Sequence, residues 1–212
     1  MRKSEWAILI IFIITLATGW FFYPQLPPVV ATHWDTAGQV NGYMAKGWGV
    51  ATFPIIMAFL FIIFLIIPRI DPKRENIEKF RKFFDYLTLA ISFLLYYFFL
   101  LFLFWNLGVR FNFTLAIMPA LSLLFWVIGM ILPHTEPNWF IGIRTPWTIS
   151  SKSVWKKTHA VGGRLFKAVA VLALLGIVIP ASALWLVVAP ILAVTIGLVI
   201  YSYVLYEREL KK

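Results

Sequence analysis

Cysteine is absent from the chain, which excludes disulfides, thiolate nucleophiles and cysteine-based metal sites. Charge is scarce: 13% of the 212 residues are Asp, Glu, Lys or Arg, against 61% hydrophobic. A soluble domain carries about 25% charged residues, so most of this surface does not face water and little chain is left for a separate soluble core. No His-Glu-x-x-His run, Gly-x-Ser-x-Gly elbow or phosphate-binding glycine loop occurs, so the common signatures of zinc hydrolases, serine hydrolases and nucleotide enzymes are missing. The formal net charge of +10 is a nucleic-acid signal only if the basic residues line one soluble face.

What is present is a series of long apolar runs. A membrane-crossing helix needs roughly 20 apolar residues. Trp6–Tyr23, Trp48–Ile67, Phe84–Trp105 and Phe113–Leu132 qualify. Leu165–Tyr206 is too long for one crossing, and Pro180-Ala181-Ser182-Ala183 divides it into a fifth span (Leu165–Ile179) and a sixth (Leu184–Tyr206). The runs are continuous rather than alternating, which excludes a β-barrel, and in lipid the backbone must satisfy its own hydrogen bonds, so each is a helix. The predicted fold is all-α: a polytopic membrane protein of six transmembrane helices. The first run reaches Tyr23 without a polar cleavage region and is expected to be retained rather than removed as a secretory signal.

Of the nineteen Lys and Arg, all but Lys46 and Arg110 fall before the first span, between spans two and three, between four and five (with Lys167 just inside the fifth helix) and after the sixth. This asymmetry predicts that both termini and the basic loops are cytoplasmic. It also accounts for the basic pI without nucleic acid, because such loops lie beside an anionic leaflet. The expected setting is a multi-pass protein of the cell membrane with the lipid bilayer as partner and no direct nucleic-acid contact. Three regions follow: 1–67, a helical hairpin with an outer loop; 68–85, a basic cytoplasmic loop; and 86–212, a four-helix region. No ionisable residue lies mid-span, which argues against a proton-coupled pump. A small-solute transporter or channel stays as the alternative. Pro54, Pro119 and Pro190 are expected to kink their helices or mark irregular turns.

The outer loop, Pro24–Gly47, is long for a connection between antiparallel helices. Val29–Trp34 has strand character, Asp35-Thr36-Ala37-Gly38 is a turn candidate, and Gln39–Met44 returns as a second strand, which predicts a short β-hairpin over the outer face. His33 and Asp35 share a face of an extended strand and are candidates to pair and sense pH; the simpler reading is a His33 hydrogen bond that holds the loop.

The inner loop, Pro133–Gly163, places Trp139, Trp147 and Trp155 where indoles suit a membrane–water boundary. Ser150 or Ser151 is a helix-cap candidate. Val154, Thr158, Val161 and Leu165 recur at helical spacing, which predicts an interfacial helix feeding the fifth span. Arg144 has two readings: a planar fork that grips a phosphate or carboxylate, or a boundary arginine that meets lipid headgroups. His33 lies outside and His134 and His159 inside, so the three histidines do not share a site. The reading is no enzyme, no metal and no cofactor.

Both loops resemble the SdpI family, named for an immunity protein against a sporulation-delaying peptide toxin. The outer loop is similar at Pro28, His33, Trp34, Gly38, Gly42, Tyr43 and Lys46. The inner loop is similar at Asn138, Gly142, Ile143, Arg144, Thr145, Pro146, Trp147, Thr148, Trp155, Thr158 and His159. The Gly-Ile-Arg-Thr-Pro-Trp run is the more specific signature, and with the span count the resemblance covers almost the whole chain. It implies an immunity and receptor protein, with a peptide toxin as partner on the outer face and a cytoplasmic repressor as partner at the basic loops. The outer-loop positions, with Asp35 beside His33, then become the ligand-binding candidates and the inner-loop positions a second functional set.

Overall fold

The computed structural model describes residues 2–211; Lys212, counted above in the basic tail, lies outside the described residues. Six long helices, α1 (Lys3–Phe22), α2 (Lys46–Ile70), α4 (Arg81–Asn106), α5 (Phe113–Ile131), α7 (Lys152–Val178) and α8 (Trp185–Leu210), are joined by two short ones, α3 (Arg74–Lys79) and α6 (Pro146–Ser150), and a hairpin of β1 (Val29–Trp34) and β2 (Val40–Ala45). Among the described residues, six helices are long and apolar enough to cross a membrane, as the apolar runs predict, so the chain is a multi-pass membrane protein. Side chains such as Ile13, Phe59, Leu123 and Ile196 point outward and meet hydrocarbon instead of water.

The helices pack as two groups. α4 takes α1 and α2 on one side, α7 takes α5 and α8 on the other, and α4 and α5 join the groups. Met118, Phe125, Val169, Ala173 and Val187 form the core of the second group. Leu26, Val30, Phe99, Phe102 and Leu103 form the core under the hairpin. The α5–α7 approach is close because both backbones are bare at the crossing: a Cβ on Gly163 would lie 2.7 Å from Pro133 Cγ and 2.8 Å from the Gly129 carbonyl oxygen. Small residues at such contacts replace the hydrophobic drive that lipid cannot supply. The Ser122 hydroxyl adds a donated bond to the Ala170 carbonyl at 2.8 Å.

Three expectations are refined. The helix expected over Val154–Leu165 is present and runs into the fifth span as one piece: α7 is one helix of 27 residues, about 40 Å long. That exceeds a hydrocarbon core of about 30 Å, so its basic first turns extend beyond the lipid. Gly162 and Gly163 do not break it, because both are buried against the inner loop and α5. Pro54, Pro119 and Pro190 all lie inside continuous helices, so none marks an irregular turn, and the Tyr97 hydroxyl of α4 donates across to the Ala116 carbonyl of α5 at 2.8 Å. Residues 68–85 hold the end of α2, all of α3 and the start of α4.

Side-chain contacts gather both chain ends at one end of the bundle. Arg2 meets Asp85 at 3.1 Å, and Arg81 meets Glu5 at 3.3 Å and Asp85 at 3.1 Å. The Ser151 hydroxyl donates to Glu209 at 2.7 Å. The hairpin caps the opposite end.

Candidate functional site

At the hairpin end, β1 and β2 pair antiparallel with irregular register on both sides of His33. Asp35 makes the turn: its Oδ1 accepts from the Ala37 and Gln39 amides at 2.9 and 2.8 Å, the Asx geometry favoured at loop tips. Gly38 supplies the required positive φ of 79°. His33 bonds through Nδ1 to Asn41, so His33 and Asp35 do not pair; each is committed to the hairpin's own geometry.

Asn106, the last residue of α4, docks the hairpin. Its Oδ1 accepts from the Ala31 amide at 2.7 Å and its Nδ2 donates to the Ala31 carbonyl at 3.0 Å, completing both backbone groups of a buried strand residue as a neighbouring strand would. Thr114 donates to the Asp35 carbonyl at 3.1 Å. The Trp34 ring stacks on Phe113 at 3.8 Å with its edge toward Trp105.

Beneath this roof lies a cavity of about 840 Å³ between α2, α4 and α5, walled by Phe53, Phe98, Phe102 and Ile117 and rimmed by His33, Trp34 and Asp35. The remaining outer candidates lie elsewhere. Tyr43 is 65% exposed. Lys46 lies over the Tyr23 ring, 4.6 Å from its centroid. Gly42 lets the strands close, since a Cβ there would sit 2.8 Å from His33 Cβ.

At the basic end, the inner loop is a knot of hydrogen-bonded polar groups, in which the buried Thr158 hydroxyl has no partner among the described residues. Asn138 is fully buried; its Nδ2 donates to the Glu136 and Ile141 carbonyls, both at 2.9 Å, and its Oδ1 accepts from the Phe140 and Ile141 amides at 2.9 and 2.7 Å. Asp71, at the end of α2, accepts from the Trp139 amide at 2.9 Å and ties the two helix groups together. Phe140 and Ile141 pack on the Ile67, Ile77, Phe80 and Phe84 cluster. Thr145 and Thr148 form a reciprocal cap on α6, with Pro146 in its first turn, and Thr145 meets Ser202 of α8 at 3.0 Å.

His159 is held at both ring nitrogens: Nε2 accepts from the Ile143 amide at 2.9 Å, and Nδ1 faces the Trp155 carbonyl at 2.8 Å. These partners specify the neutral ring protonated at Nδ1. The ring stacks on Trp155, whose indole N–H donates to the Thr135 carbonyl at 2.9 Å. Gly142, with φ of 113°, admits His159, because a Cβ would lie 2.5 Å from Nε2. Thr158 is buried beside it, and Trp147 packs against Tyr203 of α8. Arg144 alone of this set is an exposed charge; its guanidinium donates to the Trp139 carbonyl. Ser151 caps α7.

The structure thus brings the inner candidates into one unit and splits the outer ones between cavity and hairpin surface. Asp71, Asn106, Thr114 and Gly163 carry no local motif and were not singled out in the sequence; a lone polar residue at the end of an apolar run is the signal that points to Asp71 and Asn106. Among the described residues, no group of three or more His, Asp or Glu is placed to hold a metal ion.

The architecture defines a six-span helical membrane protein. The SdpI/YfhL protein family matches residues 134–202, and a domain of unknown function (DUF1648) matches residues 10–58. The chain is 25% identical to the Immunity protein SdpI of Bacillus subtilis (strain 168) over 156 residues, 74% of this chain and 72% of that protein. No solved structure matches. The resemblance carried by the two loops is borne out, and the region that matches the SdpI/YfhL family model is the one that holds the inner knot.

Proposed function

We propose that this chain is a membrane immunity protein that protects its cell against a membrane-active peptide, without a catalytic step. The similarity to an immunity protein across about three quarters of the chain carries the reading. Two features support it. Both ring nitrogens of His159 are committed to backbone groups, which leaves it no free nitrogen for acid–base work. The outer end offers a ligand-sized cavity. In this reading the basic end, with both termini, faces the cytoplasm, and the hairpin faces the toxin. The exposed Arg144 and the basic turns of α7 are the docking surface for a cytoplasmic repressor, released or recruited as the outer site fills.

Survival of sensitive cells that express the chain, challenged with a sporulation-delaying peptide toxin, tests the proposal. Protection by the wild-type chain, absent from cells without it, is the expected result. An inserted, full-length chain that leaves the cells as sensitive as the control refutes immunity. Arg144→Ala separates the two ends: it is expected to retain protection and lose repressor recruitment to the membrane.

A further inference from the structure

The tryptophans at the hairpin end fix the depth of the cavity beneath it. Trp20, Trp48 and Trp185 are exposed there, as indoles are at a membrane–water boundary. Phe53 lies five residues after Trp48 in α2, and Phe98 seven before Trp105 in α4, so both sit about 7–11 Å deeper along their helices. That is inside the hairpin-side half of a hydrocarbon core of about 30 Å. α2 and α5 both pack on α4 but scarcely on each other, so the seam between them faces lipid. Phe53, Phe98, Ile117 and Leu184, which line the space, are only half-buried. Below the rim the side-chain donors are committed. Thr52 donates to the Trp48 carbonyl at 2.8 Å and Thr114 to the Asp35 carbonyl at 3.1 Å, and the Trp34 indole nitrogen is buried away from the space. The wall that remains is hydrocarbon and aromatic carbon.

We propose that this cavity is a lipid site, filled by an acyl chain of a phospholipid from the leaflet on the hairpin side, which enters through the seam between α2 and α5. Water finds no partners on such a wall, and a void of about 840 Å³ forfeits the dispersion contacts of the side chains around it. Hydrocarbon is the material that already lies along the seam, and it asks nothing of the wall. A peptide segment would bring backbone groups that need partners at this depth, and the wall side chains have no donor to give. The rim carries His33, Asp35, Thr36 and Asn41 and, among the described residues, no Lys or Arg, so it meets the ester and headgroup without selecting an anionic lipid. The preference over the surrounding lipid is modest, because lipid tails are as apolar as the wall; fixed contact with the rings of Phe53, Phe98 and Phe102 is its source. The inference stands apart from the immunity reading and leaves the exposed hairpin face, with Tyr43, as the surface that meets the toxin in that reading.

Photolabelling of the full chain in phosphatidylcholine nanodiscs tests this. A fraction of the phosphatidylcholine carries a diazirine in its acyl chain, and adducts are mapped by mass spectrometry after irradiation. Outward-facing Ile13 and Leu192, seven residues from Trp20 and Trp185, are exposed at a similar depth and report the surrounding lipid. The expected result is labelling of residues 49–53 and 113–117 about tenfold stronger than at Ile13 and Leu192, the equivalent of ~1.4 kcal/mol of preference. The cavity-filling Thr52→Trp is expected to bring the cavity labelling down to the level of Ile13 and Leu192 without changing those two, and the outward Leu192→Trp to leave the cavity labelling as it is. Phosphatidylglycerol with the same labelled chain is expected to label the cavity equally. Cavity labelling no stronger than at Ile13 and Leu192 in the wild-type chain overturns the site, whether or not the variant inserts. Undiminished cavity labelling in an inserted Thr52→Trp chain overturns it as well. Labelling by phosphatidylglycerol alone overturns recognition of the chain in favour of the headgroup. Equally strong labelling of the same wall by a diazirine-bearing sporulation-delaying peptide at the same molar fraction overturns the lipid occupant in favour of peptide. None of these outcomes depends on whether the chain protects cells.

Discussion

Replacing Asn138 by alanine removes the centre of the inner knot. The side chain is fully buried and makes four hydrogen bonds of 2.7–2.9 Å to the backbone of its own loop. A net loss of about 1 kcal/mol per bond gives ~4 kcal/mol, because the two amides and two carbonyls left behind are closed off from water. At about 2–4 °C per kcal/mol for a chain of this size, Asn138→Ala melts on the order of 10 °C below wild type. The assay is thermal unfolding of the purified chain in detergent, followed by fluorescence of its ten tryptophans. Arg144→Ala is the companion: its side chain is exposed and donates to a single carbonyl, so its melting point stays within about 2 °C of wild type, as surface changes do. An Asn138→Ala protein that also melts within about 2 °C of wild type would refute the account of the knot as the element that fixes this loop.

Gly142→Ala forces a side chain into a backbone with φ of 113° and toward His159 Nε2; a loss of about 1–3 kcal/mol is expected, and a thermal double-mutant cycle with His159→Ala should recover part of it. Asn106→Ala strands the amide and carbonyl of Ala31, so proteolysis at the 35–39 turn should accelerate about tenfold or more, the equivalent of at least ~1.4 kcal/mol in opening; an unchanged cleavage rate would remove Asn106 as the anchor. Arg81→Met leaves Glu5, its partner in a largely buried cluster, without that cation, while Arg2 still meets Asp85. A fully uncompensated buried charge costs about 3–5 kcal/mol; with Arg2 remaining, the expected loss falls below that range, read as lower folded yield and melting point, with Arg81→Lys in between.

Apolar run length and the distribution of Lys and Arg set the number of spans and the common side of the loops, because crossing lipid leaves the backbone no alternative to helix. The hairpin was legible for a local reason as well: Asp35 through Gly38 is turn chemistry between two strand-like runs. Where sequence reading failed, the cause was distance. The fifth span was bounded at Leu165, but its helix reaches back to Lys152 without a break, because α5 and Pro133 pack against Gly163. His33 and Asp35 sit on one face by periodicity, yet the nearer offers of Asn41 and the turn amides separate them. Asp71 and Asn106 read as ordinary polar residues at helix ends; only the folded chain shows one holding the Trp139 amide and the other holding β1. The cavity has no sequence signal at all, since it is the space that α2, α4 and α5 leave when Asn106 and Thr114 pin the hairpin across them. Span count and hairpin are properties of consecutive residues and were determined by the sequence alone; the cavity, and the contacts of Asp71, Trp155 and Ser202 that anchor the knot's local turns, join residues tens of positions apart, and tertiary packing decided them.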